Sequence, residues 1–142
     1  GIDHQIDTYF KTNFGRLKLR EGDIENYLIY YHRENKKGPK KSDIILFKTE
    51  KKDFRLKEIL KKSLGILTTV DKRREIYFIN NVKFHLDNVK DLGTFIEIEA
   101  ISNDNKIKRD ELLKQCKYYI NLLDINKKDM ISLSYSEMLL KK

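Results

Sequence analysis

The chain has 142 residues, enough for one domain that buries roughly two-thirds of its unfolded surface. Thirty Lys and Arg against 22 Asp and Glu leave a formal charge of +8, which favours anionic partners (nucleic acid, phosphorylated small molecules, an anionic membrane surface) without choosing among them. One cysteine excludes an intrachain disulfide or a multi-cysteine zinc site; with no apolar run of membrane-span length and no secretory h-region, the expectation is a soluble, cytoplasmic chain.

Turn signals divide the first two-thirds into short strands. Gln5–Phe10 and Gly15–Arg20 flank Lys-Thr-Asn-Phe as a hairpin, and Tyr27–Arg33 is aromatic and rich in β-formers. Glu34–Lys41 is a basic loop around Gly38-Pro39, read as a solvated loop with a polyanion-steering mouth as the alternative. Ser42–Lys48 is the next strand. Phe54, Leu56, Ile59, Leu60 and Leu64 then recur at helical spacing, and Gly65 is placed to stop that helix. Strands resume at Leu67–Lys72, Arg74–Ile79 and Val82–Val89, with Asn80-Asn81 turning between the last two, and Thr94–Ala100 follows Asp91-Leu92-Gly93. After the polar loop Ser102–Asn105, Leu112, Leu113, Cys116, Tyr119, Ile120 and Leu123 mark an amphipathic helix. A short helix over Ser134–Leu140 carries a capping-box pair, Ser134 and Glu137. The prediction is about eight strands and two or three helices in a single α+β domain over residues 1–142.

Side chains two apart on a strand share a face, which makes the charge pattern specific. Arg16, Lys18 and Arg20 share one face, opposite Leu17 and Leu19. Lys83, His85 and Asp87 oppose Val82, Phe84 and Leu86, and Glu97 and Glu99 oppose Ile96 and Ile98. Lys72 and Arg74 share a face if the strand runs through Arg73. Such faces point to water in a flat sheet; in a curled one they line a polar cavity with a basic and an acidic side. Parity alone leaves both open.

Five motifs follow in order: Gln5-x-Asp7-Thr8-Tyr9-Phe10, Gly15-Arg16-Leu17-Lys18-Leu19-Arg20-Glu21, Leu28-Ile29-x-Tyr31-x-Arg33, Val70-x-Lys72-x-Arg74-x-x-Tyr77, and His85-Leu86-Asp87-x-Val89-x-x-Leu92-Gly93-x-Phe95-Ile96-Glu97-Ile98-Glu99. In that order they resemble the CYTH superfamily, the triphosphate tunnel metalloenzymes. The last string is most similar to class IV adenylyl cyclase-like members. The resemblance implies an antiparallel β-barrel whose interior is a charged tunnel, with apolar strand faces and helices outside. It implies that Lys18, Arg20, Arg33, Lys72 and Arg74 bind a triphosphate, because Lys meets phosphate oxygens as a point charge and Arg as a fork. It implies that Glu97 and Glu99 hold Mg2+ or Mn2+, with Asp87 either a further ligand or an orienter of Lys or Arg.

The implied activity is metal-dependent chemistry on ATP or another triphosphate. It is either cyclisation to cyclic AMP and pyrophosphate or hydrolysis of tripolyphosphate, a nucleotide or thiamine triphosphate; a non-catalytic polyphosphate binder is the third reading. No catalytic residue is assigned. A membrane partner is not expected and a nucleic-acid partner is disfavoured, since the aromatics fall with the apolar set; a homodimer is compatible with the reading. The family's Glu-x-Glu-x-Lys strand has no counterpart before Gln5, so the expectation is a domain lacking an N-terminal strand and helix. His85 is read as a satisfied structural imidazole, with a tunnel role as the alternative, and Cys116 as a small buried side chain.

Overall fold

Seven strands, β1 (Ile2–Phe10), β2 (Arg16–Gly22), β3 (Asn26–Arg33), β4 (Ser42–Lys48), β5 (Ile66–Ile79), β6 (Val82–Val89) and β7 (Gly93–Ala100), form one antiparallel sheet. Its order is β4-β3-β2-β1-β5-β6-β7. Among the described residues three α-helices accompany it: α1 (Arg55–Leu64), α2 (Arg109–Leu122) and α3 (Tyr135–Leu140). The structure is a computed structural model and describes residues 1–33, 37–39, 42–102 and 106–142. The loops expected at Glu34–Lys41 and Ser102–Asn105 therefore lie largely outside the described residues. The α+β class stands.

Several boundaries differ from expectation for local reasons. The strands expected at Leu67–Lys72 and Arg74–Ile79 are one strand of 14 residues. Arg73 continues the pleat with its side chain exposed, which leaves Lys72 and Arg74 buried together on the other face. β1 begins at Ile2 rather than Gln5; its buried positions Asp3, Gln5 and Asp7 are polar, so the segment shows no apolar alternation. β2 begins at Arg16 because Gly15 turns with φ +69°, and a Cβ there would lie 2.5 Å from the Tyr30 hydroxyl oxygen. Gly65, at φ +81°, ends α1 as expected.

The sheet curls around one face. Strand spacing of about 4.8 Å would put β2 and β6 three spacings apart in a flat sheet. Yet Glu25, in the β2–β3 turn, meets Lys83 on β6 at 2.8 Å across β1 and β5. Among the described residues β4 and β7 are the two ends of the sheet, so the expected barrel is a curled, open one. β4 presents Ile44, Ile45, Leu46 and Phe47 to solvent on both faces.

The buried apolar cluster lies inside the curl. Tyr9, Ile29, Tyr31, Val70 and Val89 pack together, joined by Tyr27, Phe95, Tyr135 and Leu139 among others. The sequence reading put the aromatics with the outward apolar set; here Tyr9, Tyr27 and Tyr31 share parity with Asp7, Lys18 and Arg20 and face inward. Burying each large side chain of this cluster stabilises the fold by roughly 1.5–3 kcal/mol. On the outer face α2 covers Val82 and Phe84, with Tyr119 edge-on to Phe84 at 5.0 Å and Gln115 exchanging two hydrogen bonds with Asn81. That cover stops short of Leu86 and Ile96, which stay exposed.

Candidate functional site

The inner face carries a layer of charge beyond the aromatic cluster. β1 supplies its centre: Asp7 is 0% exposed and directly opposite Arg20 on β2. Arg20 donates to it twice, from Nε to Oδ1 and from Nη2 to Oδ2, both at 2.9 Å. Lys72 on β5 donates to Oδ2 at 2.8 Å, and Lys18 on β2 lies 3.0 Å from the same oxygen. Burial alone would push the Asp7 carboxyl up, but Lys18, Lys72 and Arg20 outweigh it and hold the carboxyl well below its ordinary range. Three of the five predicted phosphate-binding cations thus meet on one carboxylate.

Two strands away the pattern repeats. Arg74 donates from Nε and Nη2 to the two oxygens of Asp87, each at 2.7 Å, in the planar fork that suits Arg and not Lys. The Tyr135 hydroxyl, brought in by α3, donates to Asp87 Oδ2 at 2.8 Å. Burial, then the charges of Glu97 and Asp87, raise the Tyr135 hydroxyl far above its ordinary range, so it remains a donor. The capping box predicted from Ser134 and Glu137 fixes this helix: the Glu137 backbone N–H donates to Ser134 Oγ at 3.3 Å, and Arg16 pairs with the Glu137 carboxylate at 2.7 Å. Tyr135→Phe should therefore cost about 0.5–1.5 kcal/mol in urea unfolding, the net worth of one buried hydrogen bond. An unchanged midpoint would deny the contact any role.

Glu97 lies 3.4 Å from His85 Nδ1 and 3.8 Å from Arg74. Packing around its carboxyl opposes ionisation, but the His85 contact and the charge of Arg74 hold it well below the usual carboxylate range. His85 is buried and its Nε2 has no hydrogen-bond partner among the described residues, so the imidazole is only half satisfied. Burial foremost keeps it below its ordinary pKa. Arg33 stands at the end of β3 with its guanidinium 5.6 Å over the Tyr31 ring. Glu99 is paired in register with Lys83 on β6.

Three participants carry no assigned role in the sequence reading, although Lys83 stands there on the polar face of its strand and Asp7 in the first motif. Asp7 is the hub described above. Glu25 accepts from Gln5, Arg20 and Lys83 at 2.8, 3.2 and 2.8 Å, and although burial works against it, Lys83 foremost brings its carboxyl down to about 2. Its turn is held by Asp3, whose carboxylate accepts from the backbone N–H groups of Asp23, Ile24 and Glu25. Lys83 is a further inward cation. The signal for Asp7 was present, since it lies two residues from Gln5 and Tyr9 on one strand; nothing local reveals where the Glu25 turn will reach.

The oxygens of the acidic set differ in what they already touch. Both oxygens of Asp87 are taken by Arg74, and one also by Tyr135, so it serves as the orienter of Arg74. Among the described residues no group of three His, Cys, Asp or Glu is disposed to hold a metal. Glu97 and Glu99, two apart on β7, remain as hard oxygen donors, a pair of carboxylates rather than an all-protein cage.

A CYTH domain model matches residues 1–127. A Methanocaldococcus jannaschii protein named "putative adenylate cyclase" is 31% identical over 136 residues, covering 94% of this chain and 75% of its own. Among solved structures, a Pyrococcus horikoshii protein superposes with a TM-score of 0.72 at 24% identity, over 96% of this chain and 82% of that one. A Vibrio parahaemolyticus protein, also named "putative adenylate cyclase", gives 0.70 at 18% identity, over 97% and 80%. The structural likenesses show the fold.

Proposed function

The chain belongs to the CYTH domain family, and from that premise we propose that it is a divalent-metal-dependent enzyme acting on a triphosphate, most like a class IV adenylyl cyclase. One observation carries the reading: Lys18, Arg20, Lys72 and Arg74 converge on a single concave face, three of them buried. Burying that many cations is costly unless something anionic repays it. Asp7 and Asp87 hold the side chains in place, and a polyphosphate supplies the further negative charge.

In this reading the basic side chains bind the phosphate oxygens and stabilise charge on the departing pyrophosphate. The ribose 3′-oxygen bonds to the α-phosphorus, the bond from that phosphorus to the α–β bridging oxygen breaks, and the hydroxyl proton passes to water. Cyclic AMP and pyrophosphate leave. Glu97 and Glu99 would hold Mg2+ or Mn2+, which neutralises triphosphate charge when bound. Commitment of Asp87 to Arg74 favours one second reading, a polyphosphate-binding protein without catalysis.

Incubation with ATP, tripolyphosphate and thiamine triphosphate separately, each with Mg2+ or Mn2+, tests this. Cyclic AMP with pyrophosphate identifies a cyclase, and orthophosphate identifies a triphosphate hydrolase on the same site. No product from any of the three defeats the enzymatic reading. Glu97→Gln and Glu99→Gln should each shift the metal titration of activity to higher concentration; unmoved titrations in both would remove them as metal ligands.

A further inference from the structure

One cation of the cluster differs from the others. Lys72 is 2% exposed, and Asp7 is its hydrogen-bond partner at 2.8 Å. Lys18 and Arg20 face it from β2 and Arg74 from its own strand. Its register neighbours are Gln5 on β1 and the apolar Val89 on β6. Asp7 is thus shared by three cations, of which, among the described residues, only Arg20 also reaches a second carboxylate, Glu25, and two of the four positive groups are arginines, which do not release protons. Burial foremost, then Arg20, Lys18 and Arg74, bring Lys72 down to about 7, with Asp7 acting the other way. In the free site near neutral pH, Lys72 is divided between ammonium and amine. An incoming polyphosphate adds the negative charge that the ammonium lacks.

We propose that the site takes up its polyphosphate together with one proton, which goes to the Lys72 amine, and that Asp7 is the positioning residue that holds this nitrogen ready to receive it. The proton comes from solvent and no bond to phosphorus changes. The inference rests on reading this face as a triphosphate site. Its consequence is that the lysine's share makes affinity for the polyanion fall as pH rises past neutrality, against the ligand's own titration, which works the other way.

Calorimetric titration with inorganic tripolyphosphate, in two buffers of different ionisation enthalpy, counts the protons taken up. Lys72→Arg is charged throughout, so it keeps the ligand's share of the proton count and loses the lysine's. At pH 8 the wild-type protein should take up close to one more proton per bound tripolyphosphate than Lys72→Arg, and at pH 6 the difference should fall toward zero. Equal counts at both pH values would overturn the inference while leaving the triphosphate site standing. Failure of the wild-type protein to bind tripolyphosphate at either pH would overturn the reading beneath it, and the inference with it. Asp7→Asn, folded by circular dichroism, should raise the wild-type excess at pH 7 from about half a proton toward one. If that variant does not fold, Asp7→Glu, which keeps the charge but moves the carboxylate by one methylene, is read instead. An excess at pH 7 unchanged from wild type in the variant read would remove Asp7 from the positioning role.

Discussion

Asp7→Asn is expected to destabilise the fold by about 3–5 kcal/mol, because it strips the shared anion from Lys72 and Lys18 and leaves Arg20 with Glu25 alone. For a domain of this size that lowers Tm by on the order of 10–20 °C. The geometry behind the figure is the paired Arg20 fork at 2.9 Å with Lys72 at 2.8 Å and Lys18 at 3.0 Å, all on a carboxylate with no exposure. The pH dependence follows with a definite sign. The Asp7 carboxyl titrates well below its ordinary value of 3.8, so its contribution is complete at neutral pH and withdrawn as pH falls below that value. Wild-type stability should therefore drop more steeply on acidification than that of Asp7→Asn. A loss under about 1 kcal/mol at neutral pH, by urea or thermal unfolding, would show that the cations find compensation elsewhere.

Lys72→Met separates function from stability. Removing a buried ammonium and filling its space with an apolar chain is often neutral or stabilising, since the desolvation of a buried ion pair offsets much of its attraction. Asp7 keeps Arg20 and Lys18 in this variant, so no buried anion is stranded. Tm should be unchanged or higher, while kcat/KM on the triphosphate substrate should fall by about 10²–10³-fold, the usual cost of deleting one preorganised charge partner. Full activity would remove Lys72 from the site; a collapse in Tm would recast it as a structural ion.

What the sequence made legible was parity. The basic face of β2, the polar face of β6 and the acidic pair on β7 follow from alternation, and the residues they name do line the concave side of the sheet. β5 was split because Lys-Arg-Arg has no apolar alternation to carry the strand through Arg73. The aromatics were misplaced for a related reason: on β1 the inward row changes from Asp3, Gln5 and Asp7 to Tyr9, and a period-two pattern says nothing of where along a strand polar gives way to apolar. Asp87 was legible as an acidic position with its two roles left open; its fork from Arg74 depends on the β5–β6 register, and its further donor, Tyr135, lies 48 residues away on a helix known only from its cap. Glu25 was beyond reach, since its contact with Lys83 depends on the curl of the whole sheet.

The same contacts explain why the site needs so much internal carboxylate. Arg20, Lys72 and Arg74 are nearly sealed from water, and each has a carboxylate within hydrogen-bond distance. A flexible surface patch of lysines would bind polyanions without such partners, but would not fix the direction from which each phosphate oxygen is met. The carboxylates set side-chain geometry in advance, which in the proposed reading is the condition for discriminating a triphosphate from shorter phosphates.

The most direct test of the central claim is a crystal structure of the protein with a non-hydrolysable ATP analogue. The account predicts the phosphorus chain on the concave face, with its oxygens within hydrogen-bond distance of Lys18, Arg20, Lys72 and Arg74. Phosphate density seated only on the outer face or at the sheet edges, with those four side chains still closed on Asp7 and Asp87, would contradict it.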